Sequence, residues 1–495
     1  MKNRRNSISA KYPPPSRAVK QTPDAKDTDL WGGSFDNSTE KFLRLSLGPF
    51  LLLFLTPIFV NVAALAAKYH DSSFMSLLTA YHLDASSIFT LFNSQGSSHS
   101  AKVLLERVFL LLQAAFPFPS LSSVKLVCGF IFFQLCLFLI LPGRMFDGAI
   151  APSGFVPKFR QNGPYAFFIS LLAFIFCVYK GFFQASIIYT ELLPLLTLLN
   201  STALVLSALL FVKGVVSPST PDHGAPPGTP FLFRLYWGEE LYPNILGIDL
   251  KHFIICRVGM MSWFFFTLSF SLSGSSSFPT PAMTASATLS LLYVAKFFLS
   301  FEVPGYMSAA DIAVDRFGFM LSWGTISFMP LCHSLQVLHL VRGSGVLQMS
   351  WFACYSWIAF GLIMIWLNLD ADTQRHHVRA ALKANKKITV WGKAVEVIRA
   401  PYVDSSGKQY ENFLLVCGYH GIIRHFHYLP DIVLLFLYCA PSGLSHPLTF
   451  TYFFYLTGLL VDRCQRIDAR CKAKYGSQWD EYVKRVPYKL IPGVF

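Results

Sequence analysis

About ten apolar stretches recur along this chain, and they leave few ways for it to fold. They lie near 44–67, 103–118, 122–142, 164–184, 188–213, 253–274, 284–304, 317–341, 348–369 and 430–461. A bilayer core of about 30 Å is crossed by roughly 20 helical residues, and most of these stretches reach that length. The second is short and interrupted by Arg107, and the last reads either as one span or as two short helices broken around Pro441 and Gly443. Of the 495 residues, 53% are hydrophobic and only 14% are charged. A water-soluble chain carries roughly a quarter charged residues, so this one is short of polar surface. The expected fold class is all-α, a polytopic membrane protein of about ten transmembrane helices.

Charge gives the expected orientation. Residues 1–43 are polar, rich in Pro and Ser, and basic (Lys2, Arg4, Arg5, Lys11, Arg17, Lys20, Lys26). They lack the apolar core of a secretory signal and read as a disordered cytosolic tail. The positive-inside rule puts that tail on the cytosolic side, together with the 370–399 loop (Arg375, Arg379, Lys383, Lys386, Lys387, Lys393) and the C-terminal tail. The net charge of +14 is concentrated in these segments. It therefore reports topology and anionic partners, either headgroups of the lipid bilayer or a phosphorylated cofactor, and no nucleic acid. The ten cysteines are scattered, with no spacing that suggests a metal site or a disulfide framework.

The first half is almost uniformly apolar and reads as scaffold. The chemistry is expected within 214–495, which opens with a Pro- and Gly-rich connection at 214–238. A second irregular loop, 370–417, carries a hairpin signal at Asp404-Ser405-Ser406-Gly407. Four constellations stand out there. Glu239 and Glu240 precede Pro243, Lys251 and Arg257, and the two cations also suit simple anchoring to headgroups. Glu302, Tyr306, Asp311, Asp315 and Arg316 follow. Asp311 and Asp315, at i and i+4, share a helical face, and Asp315 has Arg316 or Lys296 as structural partners. Arg375 and Arg379, also at i and i+4, form a basic fork after a membrane exit, for phosphate or for topology alone. The last constellation runs from Arg424, His425, His427, Tyr428 and Asp431 to the end of the chain. There Arg466, Arg470, Lys472, Lys474, Lys484, Arg485 and Lys489 interleave with Tyr475, Trp479, Tyr482 and Tyr488. Arginine forks grip phosphate and rings stack on a flat base; an amphipathic helix on anionic lipid is the alternative.

Five motifs in this order resemble the membrane sterol reductases, the family of C-14, C-24(28) and delta-7 enzymes. They are LPGRMFDGAIAPSGFVPKFRQNG (141–163), GEELYPNILGIDLKHFIICRVGMMSW (238–263), GYMSAADIAVDRFGFMLSWG (305–324), RHFHYLPD (424–431) and the ending KYGSQWDEYVKRVPYKLIPGVF (474–495). The likeness runs from about residue 45 to Phe495 and is strongest to the plant-like delta-7 branch. It implies an NADPH-dependent enzyme of the endoplasmic reticulum membrane that reduces the C7–C8 double bond of a delta-5,7 sterol. A cytosol-facing C-terminal cofactor pocket would join a lipid-accessible sterol pocket. Carried over by position, Arg375 and Arg379 would take the cofactor's phosphates, with Leu415, His420, His427 and Tyr428 lining it. Asp468, Cys471, Lys474, Tyr475 and Tyr482 would complete its far side. Departures are His420 where tryptophan is usual, Ile467 where aspartate is usual, and Val378 for a phenylalanine. Asp468 is the nearest stand-in for the shifted acid. Pro430, where glycine is commoner, agrees with the delta-7 form.

The implied chemistry needs a buried acid, a hydride on the opposite face and a dry cavity that spares a carbocation from water. Asp431, Tyr306 and Tyr428 are the candidate acid and its relay, with Asp311, Asp315 and Glu240 as alternatives in the substrate pocket. Burial raises a carboxyl's pKa, which favours a protonated donor. A sibling reductase acting at C-14 or C-24(28) shares every element. A prenylcysteine methyltransferase lacks the 238–263 and 305–324 motifs, and a non-catalytic sterol-binding relative with a chromatin-binding head needs a longer N-terminal tail.

Overall fold

A computed structural model describes residues 38–94, 97–274, 279–309, 312–342, 344–403 and 409–495. Most of the expected N-terminal tail (1–37), the carboxylate of Asp311 and the hairpin turn at 404–408 lie outside the described residues. Six helices are long and apolar enough to cross a membrane, and two shorter apolar ones accompany them. Numbered along the chain, the six are α1 (Leu43–Tyr69), α2 (Leu121–Ile140), α4 (Leu192–Val216), α5 (Leu250–Ser271), α6 (Pro281–Ser300) and α7 (Trp351–Lys383). The shorter pair are α3 (Gly163–Tyr179) and α8 (Tyr428–Ser442). Helix α9 (Thr451–Tyr475) and helix α10 (Ser477–Arg485) end the chain. Four two-stranded antiparallel sheets are the only strands among the described residues, so the protein is mostly helical.

Local chemistry sets the helix starts. The hydroxyls of Ser120, Thr280 and Ser350 accept the N–H of Ser123, Met283 and Ala353 at 2.9, 3.2 and 3.2 Å, satisfying a donor that the first turn leaves open. The stretch 103–118 is helical within Ser97–Ala115, where Lys102, Glu106 and Arg107 keep it out of the six. The stretch 317–341, expected as one span, is instead broken into Phe319–Trp323, a wide π-type turn at Gly324–Phe328, Met329–Cys332 and Leu335–Leu340. Pro330 has no N–H to continue the ladder. The hydroxyls of Ser322, Thr325 and Ser334 also donate back to the carbonyls of Gly318, Leu321 and Pro330, which favours bent helix. The stretch 430–461 resolves into α8 and α9. Between them Gly443 takes φ +86°, and a Cβ there would stand 2.0 Å from the Gly345 carbonyl oxygen.

Two expectations about charge are overturned inside the bundle. Arg257 and Lys251 anchor to no headgroup, because both are fully buried. Arg257 donates to Glu302 and, at 2.7 Å, to Asn162 Oδ1, while His252 Nε2 lies 3.2 Å from the same Glu302 carboxylate. Arg257 and Glu302 both sit on π-type stretches, Phe253–Met260 and Phe297–Met307. Gly163 makes the approach possible, since a Cβ there would fall 1.6 Å from Glu302 Oε2. Lys251 donates to the carbonyls of Ile312 and Asp315 at 2.5 and 2.6 Å. It thereby ties the loop after Met307 to the start of α5.

Beyond the bundle, α7 runs on into a small polar unit. Strands β1 (Val397–Val403) and β2 (Gln409–Leu415) pair antiparallel across the expected turn. Ile398, Ala400 and Leu414 of this hairpin pack on Tyr475, Trp479, Tyr482 and Val486. This packing brings α10 and the C-terminus back against the end of α7.

Candidate functional site

On α7, Asp372, Arg375 and Arg379 recur at i, i+3 and i+7, and so share one face. Arg375 donates to Asp372 Oδ1 at 2.7 Å, and Arg379 Nε lies 3.4 Å from the Phe413 carbonyl of β2. The two guanidinium groups are electrostatic neighbours, and Tyr475, Tyr482 and Cys471 surround Arg379. Like charges held together away from bulk water favour an anion between them. Gln374, on the same helix, accepts the Tyr419 N–H at 3.1 Å, and the Tyr419 hydroxyl donates to Asp370 at 2.9 Å. These two bonds seat the Tyr419–Ile422 turn, and with it His420, over α7.

His420 and His427 face each other with ring centroids 5.8 Å apart. Burial, with the Arg375 cation beside them, holds both imidazoles well below the usual histidine range. They are therefore neutral near pH 7 and offer donor and acceptor atoms without added charge. Tyr482 donates its hydroxyl to the His420 carbonyl at 3.2 Å, and burial pushes its own pKa up. Tyr428 stacks on His425 at 5.4 Å and meets the His427 ring at a tilt, 4.2 Å away, and its ring joins the apolar cluster of Leu460, Cys464 and Leu490.

Asp431 lies on the first turns of α8, and Pro430 does not break that helix. Asn368 of α7 accepts from Lys296 and donates to the His427 carbonyl at 2.9 Å, and Asp431 lies within electrostatic reach of both Lys296 and Asn368. Asp431 Oδ1 has no hydrogen-bond partner among the described residues. Lys296, which the sequence offered to Asp315, thus faces Asn368 and Asp431. Arg316 reaches the Glu239 carbonyl and the Trp237 ring instead.

Tyr306, His427 and Asp431 are half-buried, and Tyr455 is 48% exposed. Tyr293 lies within electrostatic reach of both Asp431 and Tyr306. The two open surface clefts, one lined by Pro142, Arg144 and Tyr165 and one by Tyr81, Arg107 and Leu110, lie on other segments.

Unpartnered buried polar atoms collect at the C-terminal end of this region. They include Arg375 Nε, both ring nitrogens of His420, His427 Nδ1 and Asp468 Oδ1. Such atoms are costly without a ligand or water, so this donor and acceptor set fits a polar, phosphate-bearing ligand.

Several expected contacts are taken up internally. Asp468 is paired with Arg424 and Lys489, each at 3.0 Å, and fastens the C-terminus. Lys474 stands 3.7 Å from the centre of the Tyr402 ring, and Tyr475 accepts from Asn412 at 2.8 Å. Leu415 is buried with Val378 and Val390, beneath the arginines. Glu240 leaves the substrate set: it binds Lys213 at 2.6 Å and the N–H groups of Ser219 and Thr220 at 2.6 and 3.0 Å. These bonds close the 214–238 connection. Asp315 remains within electrostatic reach of Tyr306. Sequence reasoning passed over Asn368, and it left Lys296 as a possible mate for Asp315. The signal was Asn368 four residues before Asp372 on one face of an otherwise apolar helix.

The fold and this site define a multi-pass helical membrane protein with a polar ligand site at the end of its bundle. Comparison with known proteins narrows the class. Residues 57–495 match the Ergosterol biosynthesis ERG4/ERG24 family. The 7-dehydrocholesterol reductase of Arabidopsis thaliana is 35% identical over 385 residues, 77% of this chain and 86% of that protein. The 7-dehydrocholesterol reductase of Xenopus laevis is 30% identical over 76% of this chain and 80% of its own length. A Delta(14)-sterol reductase of Methylotuvimicrobium alcaliphilum is 29% identical over 76% and 84%. The chain belongs to the ERG4/ERG24 sterol reductase family.

Proposed function

We propose that this protein reduces the C7–C8 double bond of a delta-5,7 sterol with NADPH, in the endoplasmic reticulum membrane, with its N-terminus and C-terminal site facing the cytosol. The unit responsible is 44–495, with the cofactor and sterol pockets in 214–495 and residues 1–43 as a tail. The observation that supports this reading is the adjacency of an arginine pair and imidazoles with no hydrogen-bond partner among the described residues, for a phosphorylated nucleotide, to the Asp431 carboxyl among apolar and aromatic side chains, for an apolar substrate. The 35% identity to the Arabidopsis thaliana 7-dehydrocholesterol reductase supports the delta-7 position.

In this reading Arg375 and Arg379 hold the phosphates, and His420, His427, Tyr475, Tyr482 and Cys471 border the rest of the nucleotide. When bound, the nicotinamide supplies a hydride. Asp431 is the proton donor, with Asn368 beside it and its charge balanced by Lys296 once the proton has left. Tyr306 borders the substrate side, with Tyr293 within electrostatic reach of both, and Tyr428 positions His427. Asp315 stands by Tyr306 at the sterol end. The apolar walls keep water from the cation formed on protonation.

The test is expression in a yeast that accumulates delta-5,7 sterols, followed by sterol profiling. Loss of the 5,7-diene supports the proposal. Reduction of a C-14 or side-chain alkene with the diene intact makes the protein a sibling reductase, the second reading that the 29% relative favours. Sterol binding with no reduction makes it non-catalytic.

A further inference from the structure

Three residues far apart in sequence meet at the end of the bundle opposite the arginine pair. Asp71 follows α1, His339 closes the Leu335–Leu340 helix and His446 lies just before Pro447. That end is where α7 begins, and Arg375 lies 24 residues along it, about 36 Å at 1.5 Å per residue. Asp71 Oδ1 is 3.8 Å from His339 Nδ1, and Asp71 Oδ2 is 3.9 Å from His446 Nε2. The imidazole rings stand 4.8 Å apart, and one ligand atom from each of the three residues falls within 4.8 Å of the other two. From these positions we propose that Asp71, His339 and His446 form a zinc(II) site, with a water in the fourth position.

The chemistry of the donor set supports this. Tetrahedral zinc takes imidazole nitrogen and carboxylate oxygen at about 2.0–2.2 Å, which puts neighbouring ligand atoms about 3.3–3.5 Å apart. The two carboxylate–imidazole distances exceed that spacing by about half an ångström, and the widest separation in the set, within 4.8 Å, needs a side-chain adjustment of about an ångström to close. His339 Nε2 lies 3.0 Å from the Ser344 carbonyl, so it carries the hydrogen and leaves the Nδ1 lone pair aimed at Asp71 and at Ser72 Oγ, 2.9 Å away. A carbonyl that fixes the tautomer of a ligating histidine is the usual outer support of such a site. Ser344 Oγ in turn donates to Asp71 Oδ1 and holds the carboxylate. His339 is buried, His446 is 16% exposed and Asp71 is 45% exposed, so one side is open for a metal to enter.

The other trio of this kind, His252, Cys256 and Glu302, carries no such proposal, because the Arg257 guanidinium already neutralises its carboxylate. The three ligands come from the exit of α1, the broken 317–341 segment and the α8–α9 connection. A metal there would clamp three chain segments that few backbone bonds join. This site is separate from the proposed sterol chemistry, and its failure would leave that reading untouched.

The full-length protein, purified in detergent and stripped with chelator, is titrated with Zn(II) and separately with Co(II). The proposal predicts one equivalent of zinc bound, a tetrahedral cobalt absorption in the visible, and a thermal midpoint that rises with zinc. Asp71→Asn, which keeps the shape, and His446→Ala should each weaken binding at least tenfold and abolish the thermal response. Sterol reduction by the stripped protein should be unchanged. Either variant retaining the wild-type equivalent at wild-type affinity would overturn the assignment. So would failure of the wild type to bind zinc, which would leave His339 a neutral imidazole held by Ser72 and the Ser344 carbonyl.

Discussion

Residue by residue, the account turns on Asp431 and the arginine pair. Asp431 lies beside Asn368 and Lys296, and its Oδ1 has no hydrogen-bond partner among the described residues, which leaves that oxygen open to carry a proton. Asp431→Asn keeps the shape and removes the proton. It should lower turnover at least a hundredfold, read as sterol product per minute, with NADPH and sterol binding within a fewfold of wild type. Equal loss of binding and turnover would make Asp431 a positioning residue, and full activity would remove it from the site. Arg379→Ala removes a charge-assisted phosphate contact worth roughly 1.5–3 kcal/mol. The NADPH concentration for half-maximal rate should rise more than tenfold at normal expression. An unchanged requirement would return Arg375 and Arg379 to a purely topological role.

Among the elements, the buried charges of α5 and the π-type stretch after α6 act as one fastening. Glu302, Arg257, His252 and Asn162 are all buried, and the guanidinium and carboxylate meet directly. Removing one partner of such a pair leaves the other charge uncompensated, at a cost of ~3–5 kcal/mol. Glu302→Gln should therefore lower the thermal midpoint in detergent by several degrees without changing which alkene is reduced. A midpoint equal to wild type would mean that the pair contributes nothing to stability. Length and apolarity made the polytopic helical class legible in the sequence, but of the about ten spans expected, six helices among the described residues are long and apolar enough to cross, with two shorter ones beside them. The break in 317–341 was harder to see, because Pro330 and the back-bonding hydroxyls interrupt a run whose hydropathy never falls. The burial of Lys251 and Arg257 was also out of sight. A basic residue at the edge of an apolar stretch looks the same whether it meets a headgroup or a carboxylate 45 residues away.

Across the whole molecule, the helical bundle carries a cluster of polar side chains at one end. Position in the C-terminal motifs pointed to Arg375, Arg379, His420, His427, Tyr475 and Tyr482, and the fold brings these side chains into one neighbourhood. What it missed was how many of the remaining polar groups serve the chain itself. Asp468 and Lys474 look like ligand contacts in the sequence, but Arg424, Lys489 and the Tyr402 ring claim them. Glu240 looks like a pocket acid but closes the 214–238 connection. Such pairings join segments tens of residues apart, and local sequence does not report them. In the proposed function, Asp431 and the arginine-lined end together reduce a C7–C8 double bond. Membranes bearing the full chain, supplied with a delta-5,7 sterol and NADPH, measure it directly through the ultraviolet absorbance of the conjugated diene. The account predicts that the absorbance falls with NADPH, stays constant without it, and stays constant in Asp431→Asn membranes. A persistent diene in wild-type membranes that reduce a C-14 or side-chain alkene would contradict it.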